Sequence, residues 1–296
     1  MPEIERPRER PTAHRVPVAR ISAVAALAVG AWLVLHESRE PHWRTVSPGI
    51  DFAILSGDPW CRRGSSSVAV LRVDPARARL RVQHYSTKPG RRPLDIVEWQ
   101  RETGALAVFN AGQFYPDWSY MGLLVSSGRV VSDDLHPGFQ AALVAGPESR
   151  GARRGTQRAD TREIRVLDLA RDSLDPGAPG WREVAQSFML IDRRDSIRVR
   201  KSDRVANRTL VAEDGLGRIL AITTEGGYTL RDLADFIRHT RLGAGQVMVM
   251  DGGYEAEMCV RARGFRYGSF GRWTDDDPDS PGARTPLPAV ITVDPK

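Results

Sequence analysis

From residue 49 onward the chain is a succession of short apolar stretches separated by turn residues, the pattern of strands rather than of long helices. SVAVLRVD (67–74), RLRVQHYS (79–86) and RTLVAED (208–214) alternate apolar and polar positions or cluster β-branched residues. ALAVFN (105–110), GRILAITT (217–224) and QVMVMD (246–251) are denser runs, as expected of central strands buried on both faces. PAVITV (288–293) makes a last strand. Two stretches read as helices. PLDIVEWQRETG (93–104) ends on Gly104, and TLRDLADFIRHTRLG (229–243) carries Leu230, Leu233, Ala234 and Ile237 on one face. Thr229 is suited to the N-cap, with Asp232 three residues on, and Arg238, His239 and Arg241 load the last turn.

The expected fold is therefore mixed α/β: a single sheet-dominated domain with few helices behind an N-terminal transmembrane helix. Its divisions are a basic tail (1–15), an apolar anchor or signal sequence (16–35), a polar stalk (36–48) and one domain (49–296). The anchor reading rests on ISAVAALAVGAWLVL, Ile21 to Leu35, which carries no charge and follows Arg6, Arg8, Arg10, Arg15 and Arg20. With Val16 to Arg20 included it reaches about the length of a span. The arginines before it predict that the tail stays in the cytoplasm and the domain crosses, to the periplasm or the cell exterior. HESREPHW beyond the apolar run lacks the small-residue pattern of a cleavage site; a cleaved signal would make the domain secreted instead. An exported domain permits a disulfide, and Cys61–Cys259 is the sole pairing two cysteines allow, left open at this point.

Composition adds little: 41% hydrophobic and 27% charged residues suit an ordinary globular domain. The net charge of +6 comes mostly from arginine, as in GC-rich genomes, and basic residues do not interleave with aromatics. Nucleic acid is not an expected partner. Two loops carry strong charge, the arginine-rich GPESRGARRGTQRADT (146–161) and GRWTDDDPDSPGART (271–285). The latter's four clustered aspartates leave a divalent cation open, although they lack EF-hand spacing and read first as solvated turn residues; no cofactor is expected. Patterns for P-loops, dinucleotide folds, serine hydrolases, zincins and paired-cysteine zinc modules are absent, and the histidines do not pair at metal spacing.

Candidate chemistry lies where apolar runs meet a polar group followed by small residues. AVFNAGQF reaches Asn110 and Gly112, ITTEGGYTL reaches Glu225, and VMVMDGG reaches Asp251, Gly252 and Gly253. Strand ends hold side chains on a rigid frame while the following loops vary, and glycine lets a ligand approach the backbone. Each such end is also an ordinary turn signal; three in one domain point to a shared site.

Taken in order, VFNAGQF, QSFMLI, NRTLVA, TEGGYTLRDLADFIR and VMVMDGGYEAEM resemble the blocks of the phosphodiester glycosidase family, over roughly residues 50–293. Asn110 and Gly112 fall on its first block, Gln186 and Ser187 on the second, Arg208 and Thr209 on the third, and Asp251, Gly252 and Gly253 on the last. Phe188 and Met189 stand where the family has Gly-Pro, Ala212 where it has Gly, and Tyr254-Glu255 where it has Gly-Ser. A bulky Phe188 or Tyr254 would narrow the cavity. The resemblance implies a hydrolase that cleaves a carbohydrate sugar-1-phosphodiester at the anomeric C–O bond, which the N-terminal pattern would make membrane-anchored and extracytoplasmic. Asp251 and Glu225 would then be nucleophile or base and Arg208 the phosphate ligand. Asn110 and Gln186 would bind sugar hydroxyls, with Gly112, Ser187, Thr209, Gly252, Gly253 and Glu255 also at the substrate. A non-catalytic glycan-binding or envelope-assembly module on the same fold is the alternative; a phosphodiesterase breaking P–O would want a metal and more ligand-type residues.

Overall fold

The computed structural model describes residues 41–147, 163–274 and 284–296, within one compact unit, Glu40–Lys296. The stretch expected to cross the membrane, most of the arginine-rich loop and the aspartate cluster lie outside the described residues. Among those described, no helix is long and apolar enough to span a bilayer.

Two antiparallel sheets form the frame. The larger runs β1 (Arg44–Ser47), β2 (Ile50–Ser56), β3 (Ser67–Val73), β12 (Ile219–Thr224), β11 (Arg208–Asp214), β13 (Ala244–Gly252), β10 (Trp181–Ile191), β6 (Leu124–Ser126) and β7 (Arg129–Ser132). β8 (Ala141–Pro147) also pairs with β10, and β9 (Ile164–Asp168) with β8. The smaller sheet is ordered β15 (Phe265–Ser269), β14 (Met258–Ala262), β5 (Ala107–Asn110), β16 (Ala289–Pro295) and β4 (Ala78–His84). Arg44–Ser47, read from sequence as stalk, instead form the edge strand β1, where Thr45 donates to Asp51 across the Pro48–Gly49 turn.

Strand periodicity shows why the central runs are continuously apolar. On β13, Met248 and Met250 enter the core between the sheets, while Val247 and Val249 face the opposite side. There they meet the second helix, α2 (Leu230–His239), through Leu233, Phe236 and Ile237. Val211 against Leu210 and Ala212 on β11 repeats the division. The first helix, α1 (Ile96–Thr103), covers the far face of the smaller sheet with Ile96 and Trp99 on Val108, Cys259 and Val290. The result is four layers: helix, sheet, sheet, helix.

Thr229 and Gly104 bound the helices as expected, but α2 stops at His239 with Thr240 as its C-cap, so Arg241 and Gly243 lie beyond its last turn. Thr229 caps α2 by accepting from the Asp232 N–H, while the Asp232 carboxylate turns to Thr229 Oγ1 and a two-pronged pair with Arg62 instead of closing a reciprocal box. The complete capping box is on α1, between Asp95 and Glu98, and Gly104 ends that helix in the left-handed region. Cys61 and Cys259 are both free. Cys61 packs with the α2 cluster and Cys259 with the α1 cluster, on opposite outer faces of the two sheets, so no bridge joins them.

Candidate active site

Neighbouring strands β12, β11, β13 and β10 end or pass along one rim, and this brings Glu225, Arg208, Asp251 and Ser187 into a row. At the usual strand spacing, Glu225 and Asp251 are about 10 Å apart through their backbones. β13 does not finish regularly. Its register with β11 shifts between the pairs Leu210–Val249 and Arg208–Gly252, so a bulge re-aims Asp251. The Asp251 N–H leaves β11 and donates to the Ala111 carbonyl beyond β5 at 3.0 Å. Both sheets therefore hold the backbone of this one residue.

The Asp251 carboxylate accepts from the Gly252 N–H at 2.9 Å. Its pKa is pushed up to about 7, by burial first and the Glu255 carboxylate next, against the Gly252 hydrogen bond and Arg208, which pull it down. The Glu255 carboxyl is itself raised by burial. Arg208 sits opposite Gly252 with its guanidinium laid against that glycine: a Cβ there would stand 3.1 Å from Arg208 Nη1. Nε and Nη2 of Arg208 donate to the carbonyls of Tyr228 and Arg204. Asp251, Glu255 and Arg208 thus form one electrostatic group, each mostly buried with an edge open to solvent.

Glu225 keeps different company. Its carboxylate accepts from Ser65 Oγ at 3.0 Å and from the Tyr267 hydroxyl at 2.9 Å. It lines a cavity of about 320 Å³ with Ser65, Ser269, Arg272 and Trp273. Gly64, at φ +72°, lies under the Trp273 indole, where a Cβ would be 2.6 Å from Nε1. The carboxylate beside Asp251 is therefore Glu255, expected from sequence only at the substrate, while Glu225, expected as its catalytic partner, serves the adjoining cavity.

Four residues expected to touch sugar are instead spent on the protein. Asn110 is 1% exposed; its Nδ2 donates to the carbonyls of Ala111 and Asp251, and its Oδ1 accepts from the Glu257 N–H. Gln186 is fully buried, accepting from the N–H groups of Leu123 and His136 and donating to the carbonyls of His136 and Phe139. Ser187 donates to Gln113 Oε1, and Thr209 Oγ1 meets Thr223 Oγ1 inside the sheet. The Gln186 amide has nothing left for a hydroxyl group, and Asn110 keeps only one lone pair of Oδ1, out of reach of solvent. Gly112 donates its N–H to Tyr120 Oη, and a Cβ would stand 2.5 Å from that oxygen. Phe188 turns toward Phe139, ring centroids 4.3 Å apart, and packs with the cluster under α2.

Three supporting residues were not evident beforehand. Gln113 ties Ser187 to the Met250 carbonyl, and Tyr120 Oη links Gly112 to the Gln186 carbonyl. Asn207, fully buried, donates to the carbonyls of Thr224 and Gly226 and accepts from the N–H groups of Arg272 and Trp273. Its own carbonyl accepts from Gly253. A side-chain amide immediately ahead of the predicted strand at Arg208 was the one available signal.

The phosphodiester glycosidase family profile matches residues 103–293. Among solved structures, the zebrafish N-acetylglucosamine-1-phosphodiester alpha-N-acetylglucosaminidase catalytic domain, auto-inhibited by its pro-peptide, superposes with a TM-score of 0.57 at 15% identity, covering 86% of each chain. A hypothetical protein from Synechocystis gives 0.56 at 13%, covering 83% of this chain and 62% of the other. A protein of Burkholderia pseudomallei gives 0.50 at 14%, covering 81% and 76%. No curated protein sequence matches significantly. At these identities the structural likeness speaks for the fold.

Proposed function

Because the chain belongs to the phosphodiester glycosidase family, we propose that it hydrolyses a carbohydrate sugar-1-phosphodiester at the anomeric C–O bond. The observation that carries this reading is the bulged end of β13, where Asp251, with a pKa near 7, stands beside Glu255 and Arg208. Both carboxyls are hard to ionise, Asp251 being pushed up to about 7 and Glu255 raised by burial, and each opposes the other's charge. One carboxylate then supports the cationic character developing at the anomeric carbon and takes the proton of the attacking water. The C–O bond breaks with its electron pair leaving on the phosphate oxygen, so the products are the free sugar and a phosphate monoester. That leaving group is weakly basic and needs charge neutralisation more than protonation, which is the part of Arg208. The Gly252 and Gly253 backbone lets the phosphate come close. The Glu225 cavity, with Trp273 and Arg272, takes the neighbouring unit of the substrate.

The basic tail and apolar run at the N-terminus support a membrane-anchored, extracytoplasmic setting, which makes an envelope glycan or exopolysaccharide the fitting substrate class. Protease accessibility of the domain in intact cells checks the placement. The reaction is tested by hydrolysis of a sugar-1-phosphodiester in ¹⁸O-labelled water. Label in the sugar supports C–O cleavage, whereas label in the phosphate overturns it. Asp251→Asn should lower kcat/KM by at least ~10³-fold. Binding of the substrate without turnover by the wild-type chain would favour the glycan-binding module instead.

A further inference from the structure

A second cavity, of about 810 Å³, lies against the free edge of the smaller sheet. Arg79 and Arg81 of β4 line it together with Arg182 and Glu183 of β10, Glu163 and Lys296. It is set apart from the rim that carries Asp251. Along β10 the stretch from Glu183 to Ser187 measures ~13 Å, and Ser187 is the residue tied to Met250.

The edge of β4 is partly plugged and partly open. Glu183, buried, accepts from the N–H of Val82 at 2.9 Å and of Ser127 at 3.1 Å, while Ser126 Oγ donates to the Val82 carbonyl. In an antiparallel strand the backbone groups of alternate residues point the same way, so the N–H of Leu80 is aimed outward as that of Val82 is, along the cavity wall. Arg79 and Arg81 share the exposed face of β4 by their two-residue spacing, and Arg182 is exposed across from them. Among the described residues, these three guanidinium groups make no side-chain hydrogen bond or ion pair, although Arg81 and Arg182 feel the Glu183 charge. Glu163 is neutralised by Lys296. The wall thus combines three uncommitted planar cations with an outward N–H, in a space large enough for a chain segment rather than one small anion.

We infer that this cavity binds a linear polymer carrying repeated phosphate groups, at a distance from the bond that is cut. Guanidinium groups spaced along an edge strand match charges spaced along a chain, and a cavity of this size takes more than one repeating unit. This binding does not depend on the catalytic reading and is measured without turnover.

The experiment is titration of the full-length protein with short-chain inorganic polyphosphate and, separately, with poly(glycerol phosphate), by calorimetry at 50 and 300 mM salt. Both probes should bind, and affinity should fall at least ~10-fold at the higher salt, as ion release requires. Arg79→Gln, Arg81→Gln and Arg182→Gln should each weaken binding several-fold, and the triple variant should lose it. Asp251→Asn should bind as the wild type does. Hydrolysis of a small sugar-1-phosphodiester should be unchanged in the arginine variants. Binding of polyphosphate alone assigns the site to a free polyanion, and binding of both to the shared phosphate chemistry. Undiminished binding in the single variants, or equal affinity for polyglutamate, which an open strand edge accepting an acidic peptide would give, overturns the inference.

Discussion

Asp251→Asn should cost activity and raise stability, and the size of the gain follows from the site. A carboxylate whose ordinary pKa is 3.8 and whose folded value is about 7 is penalised by burial when it ionises. Below pH 3.8 it is protonated in both the folded and the unfolded chain, and the variant has no advantage. Between 3.8 and 7 the folded protein holds a proton that the unfolded chain has released, so each step up in pH favours unfolding. Above 7 the penalty is complete. At ~1.4 kcal/mol for each pH unit between the two values, ionised Asp251 costs the fold about 4 kcal/mol. Asparagine removes the charge and still offers Oδ1 to the Gly252 N–H. For a domain of this size the gain corresponds to a melting temperature higher by about 5–15 °C at pH 8. Differential scanning calorimetry of wild type and variant from pH 3.5 to 9 measures it. The curves should coincide at the acid end and separate through pH 7. A variant that melts at or below the wild-type temperature at pH 8 would refute the reasoning, because Asp251 would then not be held against its charge.

Arg208 separates charge from geometry. Arg208→Lys keeps the charge but loses the planar fork and should lower kcat/KM ~100-fold with the pH profile in place. Arg208→Gln should also move the profile's acid limb to higher pH, since Arg208 lowers the Asp251 pKa; identical profiles for the two would place Arg208 away from the carboxyl pair. Asn207→Ala strands two N–H and two carbonyl groups and should destabilise by about 3 kcal/mol, read as a lower urea midpoint; a neutral outcome would mean the Arg272–Trp273 segment is not held by this amide. Glu257, fully buried at the entry to β14, has its carboxyl pushed up to about 8, by burial first and the Asp95 charge next. Glu257→Gln should therefore gain stability over wild type progressively between pH 4.5 and 8, in the same calorimetric series; parallel curves would show that Glu257 is ionised at no cost.

Much of the frame is legible along the chain because it follows from local rules. The unbroken apolar run Val247–Met250 already implies a strand covered on both faces, and Thr229, Gly104 and the spacing of Leu230 to Ile237 mark helix ends and the buried stripe of α2. The block pattern around Asn110, Arg208 and Asp251 likewise falls on one rim of the sheets. What it cannot convey is which side chains meet there, since that depends on strand order, register and irregularity between segments far apart in sequence. Asn110, read as a polar residue at a strand end, and Gln186, read from the family block it falls on, look like ligands; in the fold they are buried amides that fasten loops from other strands. Glu225 and Glu255 both stand near a glycine pair in the sequence, yet a bulge in β13 sets Glu255 beside Asp251 while the order of strands leaves Glu225 to Ser65 and Tyr267. The two cysteines differ in the same way: each is apolar enough to be buried, but the two-sheet arrangement buries them on opposite outer faces. Period and capping are properties of a few consecutive residues, whereas a carboxyl pair is a property of two strands brought into register by everything between them.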